Sequence, residues 1–326
     1  MNTAKTITQY KDSQHNCDEK RFFQKNIEIA DTINKKSTGF KRLRKNARFI
    51  AWCYLNRTHL QSLLNTFSTP ELKSILVLHP HIIKKPFKPY ICVNWKKKQR
   101  INSVTQHFSF MSDLFSNNLP LIYRDEGYCL LEIQDRDEEK YQLILNRGQN
   151  REGALGLQLI NSKNQRIYTI TMNLCPENYG SMYIGSIQGP NNDIENRSDI
   201  IKSLTKGCHG LRPKALILEF AIMLAHSLKL QNIYGISNKS HMYQSWRYIG
   251  RKRNAVTFDY DSHWQEYGAI KSSNKDFYNI PLEVPKKDLE SLNRNKRKLY
   301  KKRYQWLEDL EMEFNDNLSK ITTASI

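Results

Sequence analysis

Between Thr205 and Phe220 the chain reads TKGCHGLRPKALILEF. Lys206, His209, Arg212 and Lys214 crowd directly ahead of an apolar run. Pro213 suits the first turn of a helix, because it has no N–H to lose and its φ is already helical. That first turn leaves N–H groups unbonded and carries the positive end of the helix dipole. Cations there are unfavourable for an isolated helix. Arg212 and Lys214 therefore make most sense if an anion arrives to neutralise them. Gly207 and Gly210 let the backbone approach such a ligand closely. The chemistry expected here is the binding of a phosphate-like group by Lys206, Gly207, Gly210, Arg212 and Lys214. The plainer reading is that the cations point into water and Pro213 merely starts a helix. Two histidines that titrate near neutral pH are proton-transfer candidates: His209 in the turn, and His241 after the segment NIYGISN. Cys208 beside His209 has no identifiable third group to orient the pair, so it is not read as a nucleophile.

The elements that must position these residues follow from patterning. Residues 1–25 are polar. From Phe40, the segment FKRLRKNARFIAWCYLNRTHLQSLLNTF reads as one helix. Its residues Phe40, Leu43, Ala47, Ile50, Ala51 and Tyr54 share one face, and Lys41, Arg42, Arg44, Lys45 and Arg48 lie mostly off it. It is either an ordinary surface helix or one in contact with an anionic membrane surface. A second helix, capped by Ser68 or Thr69 with Pro70 in its first turn, leads into a basic connector with an extended core around Tyr90 to Trp95. Four strand-like runs follow: EKYQLILNR, GALGLQLINS, QRIYTITMNL and SMYIGSIQG. Their breaks hold Gly, Asn, Ser or Pro, which predicts an antiparallel meander. A helix over about 198–205 precedes the basic turn, and the apolar helix from Pro213 to Leu228 should be buried on most sides. NIYGIS is then a short strand. A helix is expected from about Ser240, and another strand within NAVTFDYDSHW. A basic helix over 284–317 closes the chain.

The 326 residues carry a net charge of +19, which favours anionic partners without choosing among nucleic acid, lipid, an acidic protein and a phosphorylated ligand. Hydrophobic residues at 39% suffice for a core and argue against global disorder. The six cysteines form no CxxC pair and suit no zinc module, so they read as reduced thiols and no metal site is expected. The N-terminus has no apolar leader, and no run is long enough to span a bilayer. A cytoplasmic protein, or one peripheral on the inner membrane, is the expectation. The divisions expected are 1–25, a tail; 26–118, a helical arm and basic connector; 119–283, the α/β core; and 284–326, the basic helix and tail.

The strings YIGSIQGP, LTKGCHGLRPKALILEFAIMLA, ISNKSHMY and FDYDSHWQEYGA, in that order, resemble the VirK/YbjX family of bacterial proteins. The resemblance covers roughly Leu76 to Leu310. It implies a Gram-negative source and an association with virulence and envelope stress, and brings no assigned chemistry. A second resemblance is architectural. An α+β arrangement of antiparallel meander, basic glycine-containing turn, buried helix, strand and helix is similar to the acyl-CoA N-acyltransferase fold. It implies that YIGSIQG is a splayed strand, that Lys206 to Lys214 cradle a pyrophosphate, and that NIYGIS lies across the splay. KGCHGLRP departs from that fold's usual motif, and an extra helix separates strand from turn.

An acyltransferase needs a base, an oxyanion donor and an acid for the leaving thiolate. The resemblance makes His209 or His241 the base, Tyr243 the acid, Asp259 and Asp261 orienting groups or bases, and backbone N–H groups near Ser186 the oxyanion donors. The co-substrate would be acyl-CoA or acyl carrier protein, with no permanently bound cofactor, and the acceptor an envelope component or a protein. The alternative is a non-catalytic module that binds anionic inner-leaflet lipid or nucleic acid through its basic helices, the last being NRNKRKLYKKRYQW. No helix-turn-helix or zinc-finger pattern points to sequence-specific DNA binding.

Overall fold

The computed structural model of this chain describes residues 20–149, 151–177, 180–191, 194–245 and 258–323. Helical residues 20–33 (α1) are followed by α2 (Gly39–Leu55), α3 (Arg57–Thr66) and α4 (Pro70–Leu78). The helix expected from Phe40 is thus two, broken at Asn56, whose side chain bonds back to the Trp52 carbonyl. Thr69 is the N-cap residue of α4 and Pro70 its first residue. A 3₁₀ turn over Pro80–Phe87 and two isolated bridges, Tyr90 to Cys92 and Cys92 to His241, make up the basic connector. Then come α5 (Lys97–Phe115) and α6 (Leu119–Tyr123), for which the sequence pattern gave no helix. In α5 the buried face carries Ser103 and His107 among its apolar residues, and these interrupt the periodicity. Both are satisfied: Asn173 donates to Ser103, and His107 bonds the Tyr123 hydroxyl and the Leu174 N–H.

The sheet has eight strands in the order β1-β2-β3-β4-β5-β6-β8-β7. The expected four-strand meander is β2 (Lys140–Arg147), β3 (Leu155–Asn161), β4 (Arg166–Cys175) and β5 (Ser181–Gln188), all antiparallel. A strand not anticipated, β1 (Tyr128–Gln134), adds to its edge with a bulge between Cys129 and Leu131 that breaks the alternation. Between β5 and β6 (Asn232–Ile236) run α7 (Arg197–Gly207) and α8 (Pro213–Ser227), and β6 lies parallel to β5. A helix between two adjacent strands is what allows a parallel pair. As its composition requires, α8 is buried along nearly its whole length.

Two expectations near the C-terminus are corrected. FDYD is not part of a strand: Asp259 accepts from the Ser262 N–H as N-cap residue of α9 (Tyr260–Glu266). Local capping by the aspartate outcompetes the alternating pattern. Residues 246–257, on which the start of that strand and most of the helix expected from Ser240 fall, lie outside the described residues; Met242–Gln244 is a 3₁₀ turn. The strands that complete the sheet are β7 (Ile270–Lys271) and β8 (Phe277–Ile280). The closing helix α10 begins later than expected, at Arg294, with Asn293 as N-cap residue, and runs to Ser319. It buries Leu310, Phe314 and Leu318. A continuous buried cluster joins the N-terminal helices, the sheet and α10.

Candidate functional site

The basic turn forms one wall of an open groove of about 500 Å³, lined by Tyr168, Ile201, Lys202, Thr205, Lys206, Gly210, Arg212, Pro213 and Lys214. Arg212 is the N-cap residue of α8; the residue is exposed and its side chain has no hydrogen bond or ion pair among the described residues. The other cations are partly matched. Lys214 pairs with Glu266 at 3.0 Å, Lys206 with Asp137 at 3.7 Å and Lys202 with Asp199 at 3.7 Å. A carboxylate of the chain therefore already lies against Lys214, and of the four cations lining the groove only the Arg212 side chain has no carboxylate partner among the described residues.

The glycines serve this chain before any ligand. A Cβ on Gly207 would stand 2.1 Å from the Asp135 carboxylate, so the close approach made there is to Asp135. Gly210 has φ +75°, left-handed backbone that favours glycine, and abuts Arg303 and Leu299 of α10. Arg303 donates twice to the His209 carbonyl, at 3.1 and 2.8 Å. The turn is held by α10 across this span.

The second feature is a gap in the sheet. The parallel β5–β6 register runs from Ser181↔Asn232 to Ile184↔Gly235 and stops, while β5 continues to Gln188. Beyond Ile184 the β5 edge is met by a side chain. The Tyr260 hydroxyl lies 3.3 Å from the Ile187 N–H and 3.4 Å from its carbonyl. Trp264 fixes α9 in place by donating to the Ile236 carbonyl at 2.8 Å and lying on Gly235, where a Cβ would be 2.5 Å from the ring.

Strand alternation puts the groove and a buried polar strip on opposite faces of the sheet. Asn173, bonded to Ser103 of α5, shares its face with Thr171 and Thr169; Tyr168, in the groove, has the other parity. A bulge at Gly185 brings Ser186 opposite Thr171, on the α5 face. There Ser186 Oγ and Gln188 Nε2 each donate to Glu152 at 2.6 Å. Glu152 is buried, and its backbone crosses β5 so closely that a Cβ on Gly185 would be 1.9 Å from the Glu152 carbonyl oxygen. Lys85 clamps the same loop by donating to the carbonyls of Gln149 and Gly153. Burial, then the nearby Arg147, pulls this lysine down to about 7, against the pull of Glu152. The hydroxyls of Thr169 and Thr171 are buried without a partner among the described residues. Glu152 was not singled out by the sequence. RGQNREGALG reads as a solvated hairpin turn, and only a glutamate between arginine and glycine marks it.

His241 is buried against Tyr260, with rings nearly parallel and 5.2 Å apart. Its Nδ1 accepts from the Tyr243 N–H at 3.4 Å, which puts the proton of the neutral ring on Nε2. Burial holds it at about 4, against a raising effect of the Gly185 backbone. Tyr243, half-buried beside it, has its phenol pushed up, first by burial and then by Glu152. Ser186, His241 and Tyr243 are thus gathered around the β5 end with Glu152. The remaining candidates stand apart. His209 packs on Trp306 of α10, 5.7 Å between rings, and is lowered by burial and then by Lys302, Arg136 and Arg303. Asp259 is spent on the α9 cap and on Asn238, and Asp261 accepts from the Asn238 N–H. Cys208 is buried, its thiol pushed up to about 12 by burial and Asp135, which disfavours a thiolate. Among the described residues no three His, Cys, Asp or Glu gather as metal ligands would.

The fold and groove define an α+β protein with a mixed, mostly antiparallel sheet and an open cationic groove at the start of α8. Over residues 38–316 the chain matches the family described as a protein of unknown function (DUF535), and it belongs to that family. It is 27% identical over 246 residues to "Uncharacterized protein YbjX" of Escherichia coli (strain K12), covering 74% of this chain and 73% of the relative. An "Uncharacterized protein" of Haemophilus influenzae is 24% identical over 274 residues, covering 84% and 90%. "Membrane protein LapB" of Mannheimia haemolytica is 29% identical over 206 residues, covering 63% and 86%. The VirK/YbjX resemblance is therefore a family relationship. No solved structure matches.

Proposed function

We propose that this protein is an acyltransferase whose donor is a phosphorylated thioester, acyl-CoA or the phosphopantetheine arm of acyl carrier protein. The observation that carries the reading is the parting of β5 and β6 between the cationic groove on one face and the Glu152 strip on the other. The donor's phosphate lies in the groove on Arg212, Lys206 and Lys202, where a helix N-terminus adds N–H groups. Its extended arm enters the gap and pairs with the buried edge of β5 at Ile187, where β6 no longer pairs, displacing Tyr260 and its two long bonds. The acyl carbon then reaches the Glu152 face. An acceptor amine or hydroxyl forms a C–N or C–O bond to that carbon, the C–S bond breaks, and the acceptor's proton ends on the released thiol. Glu152 relays it, with Ser186 and Gln188 fixing the carboxylate. His241, neutral and with Nδ1 engaged, positions Tyr260 rather than taking the proton. The name of the Mannheimia relative accords with an acceptor in the cell envelope.

The test is a thermal-shift titration with CoA, acyl-CoA and acyl carrier protein at physiological salt, beside the Arg212→Ala variant, followed by thiol release from the donor that binds. Stabilisation that Arg212→Ala abolishes, and thiol release that Glu152→Gln abolishes on a still-folded protein, are expected. No shift with any donor on a folded protein sinks the reading.

A further inference from the structure

The apolar face of α2 is on the outside. Phe40, Leu43, Ala47, Ala51 and Tyr54 recur at helical spacing along one side, and all are exposed, Phe40 at 78%, Leu43 at 64% and Tyr54 at 63%. Leu55, at 79%, extends the same side. The helix is anchored by its opposite face, where Phe49 and Cys53 are buried and Phe49 and Trp52 pack on Phe87. An apolar stripe of this length, roughly 20 Å at helical rise, is normally covered.

The charge around the stripe says what covers it. Between Asp31 and Glu71 the chain has no acidic residue. Lys41, Arg44 and Arg48 lie exposed along one border of the stripe. Lys45, Lys84 and Lys88 stand behind them and near Arg48, close enough that, after burial, Lys88, Lys45 and Arg48 help pull Lys84 down to about 8. The surface pairs large apolar side chains with a field of one sign. Nucleic acid would use the cations and leave Phe40, Leu43 and Leu55 in water. A convex single-helix face offers a protein partner no groove. Anionic lipid meets both halves, with headgroups for the cations and the acyl boundary for the stripe.

We infer that α2 lies along the surface of an anionic lipid bilayer, with Phe40, Leu43, Tyr54 and Leu55 in the acyl boundary and Lys41, Arg44 and Arg48 among the headgroups. The docking is peripheral: among the described residues no helix is long and apolar enough to cross a membrane. The inference is independent of the acyltransferase reading, since no residue of α2 lines the groove or the strip.

The test is sedimentation of the full chain with vesicles of phosphatidylcholine alone and of an equimolar phosphatidylcholine–phosphatidylglycerol mixture. Binding to the anionic vesicles only is expected. Phe40→Ser/Leu43→Ser/Leu55→Ser and Lys41→Gln/Arg44→Gln/Arg48→Gln are each expected to weaken it at least about tenfold. The apolar variant should keep its melting temperature, because its side chains are in water in the free protein. A lowered melting temperature would mean that the stripe is covered within the protein, and would overturn the inference. So would wild-type binding by either variant, failure of the wild type to bind anionic vesicles, or a dimer that the apolar variant dissociates.

Discussion

At the scale of residues, Tyr260 does at the end of β5 what a neighbouring strand would do. One phenol hydroxyl serves both the N–H and the carbonyl of Ile187, at 3.3 and 3.4 Å. Bonds this long are weak and readily exchanged. Tyr260→Phe should cost about 0.5–1.5 kcal/mol of stability, the value of an ordinary hydrogen bond, yet tighten donor binding by freeing the strand edge. Denaturant unfolding together with a donor titration checks both; weaker donor binding would mean that Tyr260 assists the ligand. Glu219 supplies a pH signature. Burial, its largest cause, raises this carboxyl to about 7 although Tyr267 bonds to it. A raised carboxyl favours the protonated native state, so its contribution is fully present below the unfolded value near 4.5 and is lost as pH rises to about 7. Glu219→Gln should therefore match the wild type at pH 4 and melt higher at pH 8. A variant that melts lower at pH 8 would contradict this. The sequence made the basic turn legible at this scale, because Pro213 and the cations are local signals. It could not reveal that Glu266 and Asp137 already answer Lys214 and Lys206, since those partners arrive from distant elements.

At the scale of elements, a few close approaches fix the packing where β5 and β6 part. Gly235 lies under the Trp264 ring and Gly185 under the Glu152 carbonyl, and neither has space for a methyl group. Gly235→Ala should push α9 off β6 and destabilise by about 1–3 kcal/mol, read as a lower denaturant midpoint. It should also disturb donor binding, because Tyr260 rides on α9; an unchanged midpoint would contradict the packing described. The meander and α8 were legible because alternation and continuous apolarity are strong patterns. Strand β1 was hidden by its bulge, and β7 and β8, of two and four residues, are too short to show a period. Helix α2 was readable as amphipathic, but periodicity does not say which face turns inward. Here Phe49 and Cys53 do, and the longer apolar stripe stays outside.

At the scale of the whole molecule, the net charge of +19 resolves into separate places. One is the groove at α8, where a helix N-terminus and the Arg212 side chain meet; another is the basic surface of α2; a third is the first half of α10, part of which is turned inward to hold the His209 carbonyl. Donor binding and vesicle binding should accordingly separate. Neutralising Lys41, Arg44 and Arg48 should leave the donor-induced thermal shift unchanged, and Arg212→Ala should leave vesicle binding unchanged. A loss of both functions from either change would mean that a diffuse field, not two sites, does the binding.

Amide hydrogen exchange of the full protein with and without acyl-CoA tests donor binding at the groove and the β5 edge most directly. New protection is expected at the start of α8, residues 211–216, and at Ser186 to Gln188 on the β5 edge, with none on α2 or α10. Protection confined to the basic helices, or absent at saturating donor, would contradict it.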